Sequence, residues 1–159
     1  MNLDLKHIKQ IYFIGIGGIG MSALAFHFLR LGKSVLGYDK TSTDISKSLE
    51  KQGTQIEYDV DLKLAKSISK EQALVIYTPA INGNHPVFEY FKSHDFKLFK
   101  RAEILGQISR DKTCIAVAGT HGKTTITSML AFLLKDNNEP VTAFLGGVSE
   151  NYQSNYIHQ

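Results

Sequence analysis

Ile11-Tyr12-Phe13-Ile14-Gly15-Ile16-Gly17-Gly18-Ile19-Gly20 joins a β-rich run directly to a glycine loop of the G-x-G-x-x-G pattern. Met21, Leu24, Ala25, Phe28 and Leu31 then recur at helical spacing, and Gly32 stands where a left-handed stop is expected. The glycines therefore lie on a strand-to-helix turn. In that context the backbone can approach a phosphate closely, and the helix presents its first amides to it. The loop alone does not say which phosphate compound it takes, because dinucleotide cofactors and nucleotide sugars both fit.

Working outward, Ser34-Val35-Leu36-Gly37-Tyr38 reads as a second strand. It ends at Asp39, an acid about 20 residues past the glycines, where such folds meet a ribose. Thr41, Ser42 and Thr43 offer N-caps for a short helix closed by Gly53, and residues 55–58 read as a third strand. A short helix is expected within residues 59–72. Ala73-Leu74-Val75-Ile76-Tyr77 has the continuous apolar character of a parallel strand and ends at Thr78, on the same crevice as the glycine loop. Residues 86–93 look helical, 97–99 look like another strand, and Arg101 opens a further helix running to about Arg110. This alternation predicts an α/β fold, a Rossmann-like doubly wound parallel sheet over residues 1–110.

The polar pair Asp111-Lys112 marks the expected boundary. Beyond it, residues 113–118 read as a fresh strand, 124–135 as a helix, and 141–145 as one more strand before Gly146-Gly147. The stretch after those glycines is polar and shows no further pattern. Between the first strand and the helix lies Gly119-Thr120-His121-Gly122-Lys123-Thr124-Thr125, a phosphate-binding loop. Lys123 supplies a point charge to nucleotide phosphates, and Thr124 or Thr125 a hydroxyl for Mg²⁺. The common P-loop pattern wants a glycine where this chain has Val117. The simplest ligand is ATP. Residues 111–159 thus read as the truncated beginning of an ATP-binding P-loop domain, with too few strands for a complete one.

Composition narrows the field. The 159 residues are 43% hydrophobic and 21% charged, as in ordinary globular proteins, and no run approaches the roughly 18 apolar residues of a membrane span. A cytoplasmic location is the expectation, since the N-terminus lacks the features of a signal peptide. One cysteine, Cys114, excludes an intrachain disulfide, and the six histidines have no metal-ligand spacing. A net charge of +3, spread along the chain, argues against a nucleic-acid surface.

Taken together, residues 12–25 and Ala116-Val117-Ala118-Gly119-Thr120-His121-Gly122-Lys123-Thr124-Thr125 closely resemble the Mur ligases of peptidoglycan synthesis. Lys100-Arg101-Ala102-Glu103-Ile104-Leu105 and Phe144-Leu145-Gly146-Gly147 extend the likeness over nearly the whole chain. The resemblance implies an N-terminal UDP-sugar domain, a central ATPase and a C-terminal domain, of which only the first is whole here. It implies that Gly15, Gly17, Gly18, Ile19 and Gly20 cradle the UDP diphosphate, with Met21, Ser22, Asp39, Thr78 and Arg101 lining the sugar crevice. It also implies ATP and Mg²⁺ at residues 119–125, with Lys123, Thr124 and Thr125 taking part in phosphoryl transfer.

Within the family, the histidine-containing loop is similar to that of members joining L-alanine to UDP-N-acetylmuramic acid, or recycling murein tripeptide. By the same resemblance these residues bind UDP-sugar without turning over. An NAD-dependent oxidoreductase is the competing reading of the first loop, but it leaves the second without a purpose. A further expectation is that Val117, Val141 and Phe144 rest against the first domain or a neighbouring copy.

Overall fold

The computed structural model describes Leu5, residues 7–110 and residues 112–159. The remaining N-terminal positions and Asp111, half of the expected boundary, lie outside the described residues.

Five strands form one parallel sheet: β1 (Gln10–Ile14), β2 (Ser34–Tyr38), β3 (Gln55–Glu57), β4 (Ala73–Tyr77) and β5 (Leu98–Lys100). Their spatial order is β3-β2-β1-β4-β5. Parallel strands need crossovers, supplied by helices α1 (Ile19–Arg30), α2 (Asp44–Lys51), α3 (Lys63–Ser67) and α4 (Pro86–Ser93), and α5 (Arg101–Ser109) follows the last strand. The expected doubly wound architecture is therefore the observed one. The order reverses beside β1, which pairs with β2 on one side and β4 on the other. At such a switch point the loops leaving the strands part and open a crevice.

The core explains why β1 and β4 are apolar throughout. Ile11, Phe13, Leu74 and Ile76 pack against α1 through Leu24 and Phe28, whereas Tyr12, Ile14 and Val75 face the opposite layer with Val87 and Phe91. Each strand thus buries both faces, as period-two alternation requires in a sheet covered on both sides. Helix α1 stops as its sequence predicts. Gly32 adopts φ +71°, and the amides of Gly32 and Lys33 donate to the carbonyls of Leu29 and Phe28, a Schellman closure.

The remainder holds α6 (Lys123–Asp136), β6 (Thr142–Ser149) and β7 (Ser154–His158). Here two sequence expectations are corrected. Residues 113–118 form no strand: they are largely exposed, and no strand among the described residues pairs with them. An apolar run becomes a strand only where a neighbour takes its backbone hydrogen bonds, and this one has none. Conversely, the patternless stretch after Gly147 contains β7, which pairs antiparallel with β6.

This hairpin sits between two helices and shows each a different face. Ala143, Leu145 and Ile157 pack on α6 through Ala131. Phe144 and Tyr156 turn the other way, onto His27 of α1, with ring centroids 5.3 and 5.8 Å away. Of the three residues expected to be covered, Phe144 thus rests on α1. No helix among the described residues is long and apolar enough to cross a membrane.

Candidate functional site

The glycine loop begins where β1 ends. Gly15 takes φ +87°, and the amides of Gly15 and Ile16 both donate to the Tyr38 carbonyl, at 2.8 and 3.1 Å. This ties the loop to the end of β2. Asp39 completes the tie: its Oδ2 accepts the Gly17 amide at 2.7 Å and its Oδ1 accepts the Thr41 amide at 3.1 Å. A Cβ on residue 17 would stand only 3.0 Å from that carboxylate oxygen, so a side chain there would crowd the carboxylate. Asp39, expected as a ligand contact, has in this structure the work of holding the loop.

The other neighbours close the crevice. A Cβ on Gly15 would lie 3.2 Å from the Thr78 methyl, and one on Gly20 only 2.9 Å from both Cδ and Nη1 of Arg101. Gly15, Gly17, Gly20, Asp39, Thr78 and Arg101, 86 positions apart at the extremes, are thus brought to one place by the sheet. Gly18 is the N-cap of α1 and makes no side-chain cap. Its carbonyl takes the amides of Met21 and Ser22, at 2.9 and 2.8 Å. Ile19 and Gly20, the first two helical residues, come before any residue that an intrahelical carbonyl can serve. Two amides and a helix N-terminus therefore face the crevice, with the Arg101 guanidinium beside them, an arrangement suited to a diphosphate.

Met21 and Ser22 are corrected. Both side chains are buried, Met21 in the main core and Ser22 against Asn155, so neither lines the crevice. A helix start turns successive side chains through about 100°, so the two are covered by different neighbours. The Ser22 hydroxyl donates to the carbonyls of Gly18 and Ile19, both at 3.0 Å.

Sequence reasoning missed Asn155 altogether. Its Nδ2 donates to the Ile19 carbonyl at 2.5 Å and to Ser22 Oγ at 2.8 Å. The side chain is 1% exposed. No motif announces it, because the contact spans more than 130 positions.

The second loop is more open. Gly119 and Gly122 adopt φ +154° and +75°, and Gly122 caps α6 without a side-chain bond or an acid in the first turn. Lys123 folds back so that Nζ donates to the carbonyls of Gly119 and Thr120, at 2.6 and 3.0 Å. The ammonium is thereby held over the loop. Thr120, His121 and Thr125 are exposed, and Thr124 is half-buried against the glycines of β6. A Cβ on Gly146 would stand 3.1 Å from Thr124 Oγ1.

A cavity of about 260 Å³ lies beside the glycine loop, lined by Ile19, Gly20 and Arg101 and by Phe144, Leu145 and Gly146 of β6. Gly146 in turn stands against Thr124 at the start of α6. Among the described residues no group of three His, Cys, Asp or Glu side chains could hold a metal ion. A cation at Thr124 would accordingly need phosphate oxygens to complete its shell.

Residues 10–113 match the family described as Mur ligase family, catalytic domain. A UDP-N-acetylmuramate--L-alanine ligase of Christiangramia forsetii is 50% identical over 159 residues, covering 98% of this chain and 35% of that protein. The ligase of the same name from Parabacteroides distasonis is 46% identical over 157 residues, 98% of this chain and 34% of that one. Among solved structures, the UDP-N-acetylmuramate-alanine ligase MurC of Thermotoga maritima superposes with a TM-score of 0.82 at 33% identity, over 94% of this chain and 34% of its own. A murein peptide ligase from Psychrobacter arcticus gives the same TM-score at 28% identity, over 94% and 33%. The chain spans about a third of the length of the curated relatives it matches.

Proposed function

The chain belongs to the Mur ligase family, and from that premise we propose that it supplies the UDP-sugar site and the phosphate loop of a cytoplasmic, ATP-dependent ligase joining L-alanine to UDP-N-acetylmuramic acid. The observation that carries this reading is a cavity lined both by Gly20 and Arg101 and by Gly146, which stands against Thr124. A nucleotide sugar anchored by its diphosphate at residues 15–20 can extend through it toward a triphosphate at residues 119–125. The curated relatives of 46–50% identity favour alanine as the amino acid over the peptide taken by a murein peptide ligase.

In this reading the diphosphate accepts the open amides of Ile19 and Gly20 and is neutralised in part by Arg101. The sugar's carboxylate oxygen attacks the γ-phosphorus of ATP, the bond to the β-phosphate oxygen breaks, and an acyl phosphate and ADP result. The amine of L-alanine then attacks the acyl carbon, phosphate leaves with the bonding pair, and the amine loses a proton. Lys123, already poised over the loop, holds charge on the phosphates as it moves from the γ- to the β-oxygen. Thr124 or Thr125 would hold Mg²⁺ through a hydroxyl, and the ion would supply neutralisation of phosphate charge. The lysine and the uncapped start of α6 fit the phosphates, and the threonine hydroxyls would give the cation oxygen ligands, although among the described residues no carboxylate ligands are clustered beside them.

We infer that the 159 residues alone bind the sugar nucleotide but do not turn over. Calorimetric titration with UDP-N-acetylmuramic acid and with NADH tests the first part. Binding of the sugar nucleotide is expected, and a preference for NADH would overturn the assignment. Alanine-dependent phosphate release by this chain would overturn the second part.

A further inference from the structure

We propose that Asn155 is a positioning residue for the glycine loop, clamping the Ile19–Gly20 peptide from the β6–β7 hairpin so that the Gly20 amide stays aimed at a bound diphosphate. The inference deepens the proposed function and rests on it for the identity of the ligand.

Three observations carry it. First, the contact is chemically directional. The Ile19 carbonyl can only accept, so the atom at 2.5 Å must be the amide nitrogen of Asn155 and the side chain cannot be turned over. Second, the carbonyl it holds and the N–H of Gly20 belong to the same peptide unit. That unit is planar and trans, so fixing the oxygen fixes the direction of the N–H on its opposite edge. A hydrogen bond to the oxygen also polarises the unit and makes its N–H a better donor. The second Nδ2 hydrogen goes to Ser22 Oγ at 2.8 Å, and that hydroxyl in turn serves the carbonyls of Gly18 and Ile19. One side chain thereby braces both residues that turn the loop into the helix.

Third, the arrangement is costly for a contact that merely glues two elements. Asn155 is buried, and its own Oδ1 has no hydrogen-bond partner among the described residues. An unmet buried acceptor is destabilising, and an apolar side chain would dock the hairpin on α1 without that penalty. The neighbouring strand residue already does such docking: Tyr156 packs on His27 and its hydroxyl lies 3.1 Å from His27 Nδ1. Retaining an asparagine at 155 makes sense if its donors have a task, and they point at the loop. A consequence is that the diphosphate site is complete only while the hairpin that follows the phosphate loop is seated on α1. The two loops would then be coupled through one side chain.

The test uses the 159-residue chain and UDP as probe, with amide hydrogen exchange read by NMR in parallel. The variants are Asn155→Ala, the near-isosteric Asn155→Leu, which keeps the volume and removes the donors, and Tyr156→Phe as a second break between the same strand and α1. Asn155→Leu guards against a variant that fails to fold, and amide peak dispersion verifies folding. Both Asn155 variants are expected to bind UDP about tenfold more weakly, the scale of one lost hydrogen bond. They should also exchange the Ile19 and Gly20 amides about tenfold faster without ligand, while Tyr156→Phe stays within about twofold of wild type in both readouts. Asn155 variants within about twofold of wild type, or Tyr156→Phe matching their losses, would overturn the clamp. If wild-type chain binds no UDP, the proposed function falls, and the exchange rates still decide the role of Asn155.

Discussion

Asp39 and Gly17, 22 residues apart, are joined by a 2.7 Å hydrogen bond from the glycine amide to the carboxylate, which fastens the glycine loop to the end of the neighbouring strand. The bond is charge-assisted, and the second oxygen of the same carboxylate holds Thr41. Asp39→Ala should destabilise the protein by about 1.5–3 kcal/mol, the range for hydrogen bonds to a charged group. Asp39→Asn should recover part of that loss, because the amide keeps one acceptor oxygen. Urea unfolding of the two variants beside wild type measures the difference, and equal stability of all three would refute the fastening role.

Gly20 and Arg101 give a second expectation. A methyl at position 20 would meet the arginine side chain at 2.9 Å, but that chain is long and flexible and can move aside. Gly20→Ala should therefore cost little stability, within about 1 kcal/mol. It should weaken UDP-sugar binding by about tenfold, because the displaced guanidinium no longer flanks the loop amides. Paired thermal melts and calorimetric titrations separate the two effects.

The seam between α1 and the hairpin is pH-sensitive. Burial, then repulsion from protonated His158 and from Arg30, pull the His27 pKa down from 6.5 to about 4. The rings of Phe28, Phe144 and Tyr156 surround it, and no carboxylate contributes to the shift. His158 is lowered as well, by burial and then by Arg30 and Lys135. In the folded state His27 stays neutral where the unfolded chain takes up a proton. Stability is therefore flat above pH 6.5 and falls as pH drops from there toward 4. Unfolding midpoints between about pH 7.5 and 4.5 should show this loss, and His27→Gln should flatten it. A midpoint independent of pH in the wild type would contradict the buried neutral imidazole.

Core and surface positions should separate widely. Phe28 is fully buried and packs near Phe13, with ring centroids 6.3 Å apart, so Phe28→Ala should cost about 3–5 kcal/mol. Met129 on α6 is 61% exposed, and Met129→Ala should stay within about 0.5 kcal/mol although both residues follow helical apolar spacing. Denaturant melts of the two variants check the contrast.

That contrast also shows where sequence reading reaches its limit. The period of α1 and the period of α6 look alike, yet one helix is covered by a sheet and Ile126, Met129 and Leu133 of the other are more than half exposed. Periodicity identifies an apolar face, but only a neighbour buries it. The same gap explains residues 113–118, apolar enough for a strand but without a ladder partner, and β7, whose run Ser154-Asn155-Tyr156-Ile157-His158 has only weak alternation and is a strand because β6 lies beside it. Closeness to the glycines assigns Met21 and Ser22 to the crevice, whereas the turn of the helix carries their side chains inward.

What was legible without coordinates was everything that depends on neighbours in the chain: the strand-to-helix turn at residues 15–20, the stop at Gly32, the alternation that makes a doubly wound sheet, and the loop that ends at Lys123. These follow from steric limits on the backbone and from side-chain period, which act over a few residues. What required the folded molecule were the partnerships across long separations. Among these are the carboxylate of Asp39 turned onto Gly17, Arg101 against Gly20, and Asn155 reaching α1 from a strand that local pattern does not announce. Hydrogen bonds and close packing act over about 3–4 Å in space and leave no trace in local spacing, so only the sheet and the hairpin could decide which distant residues meet.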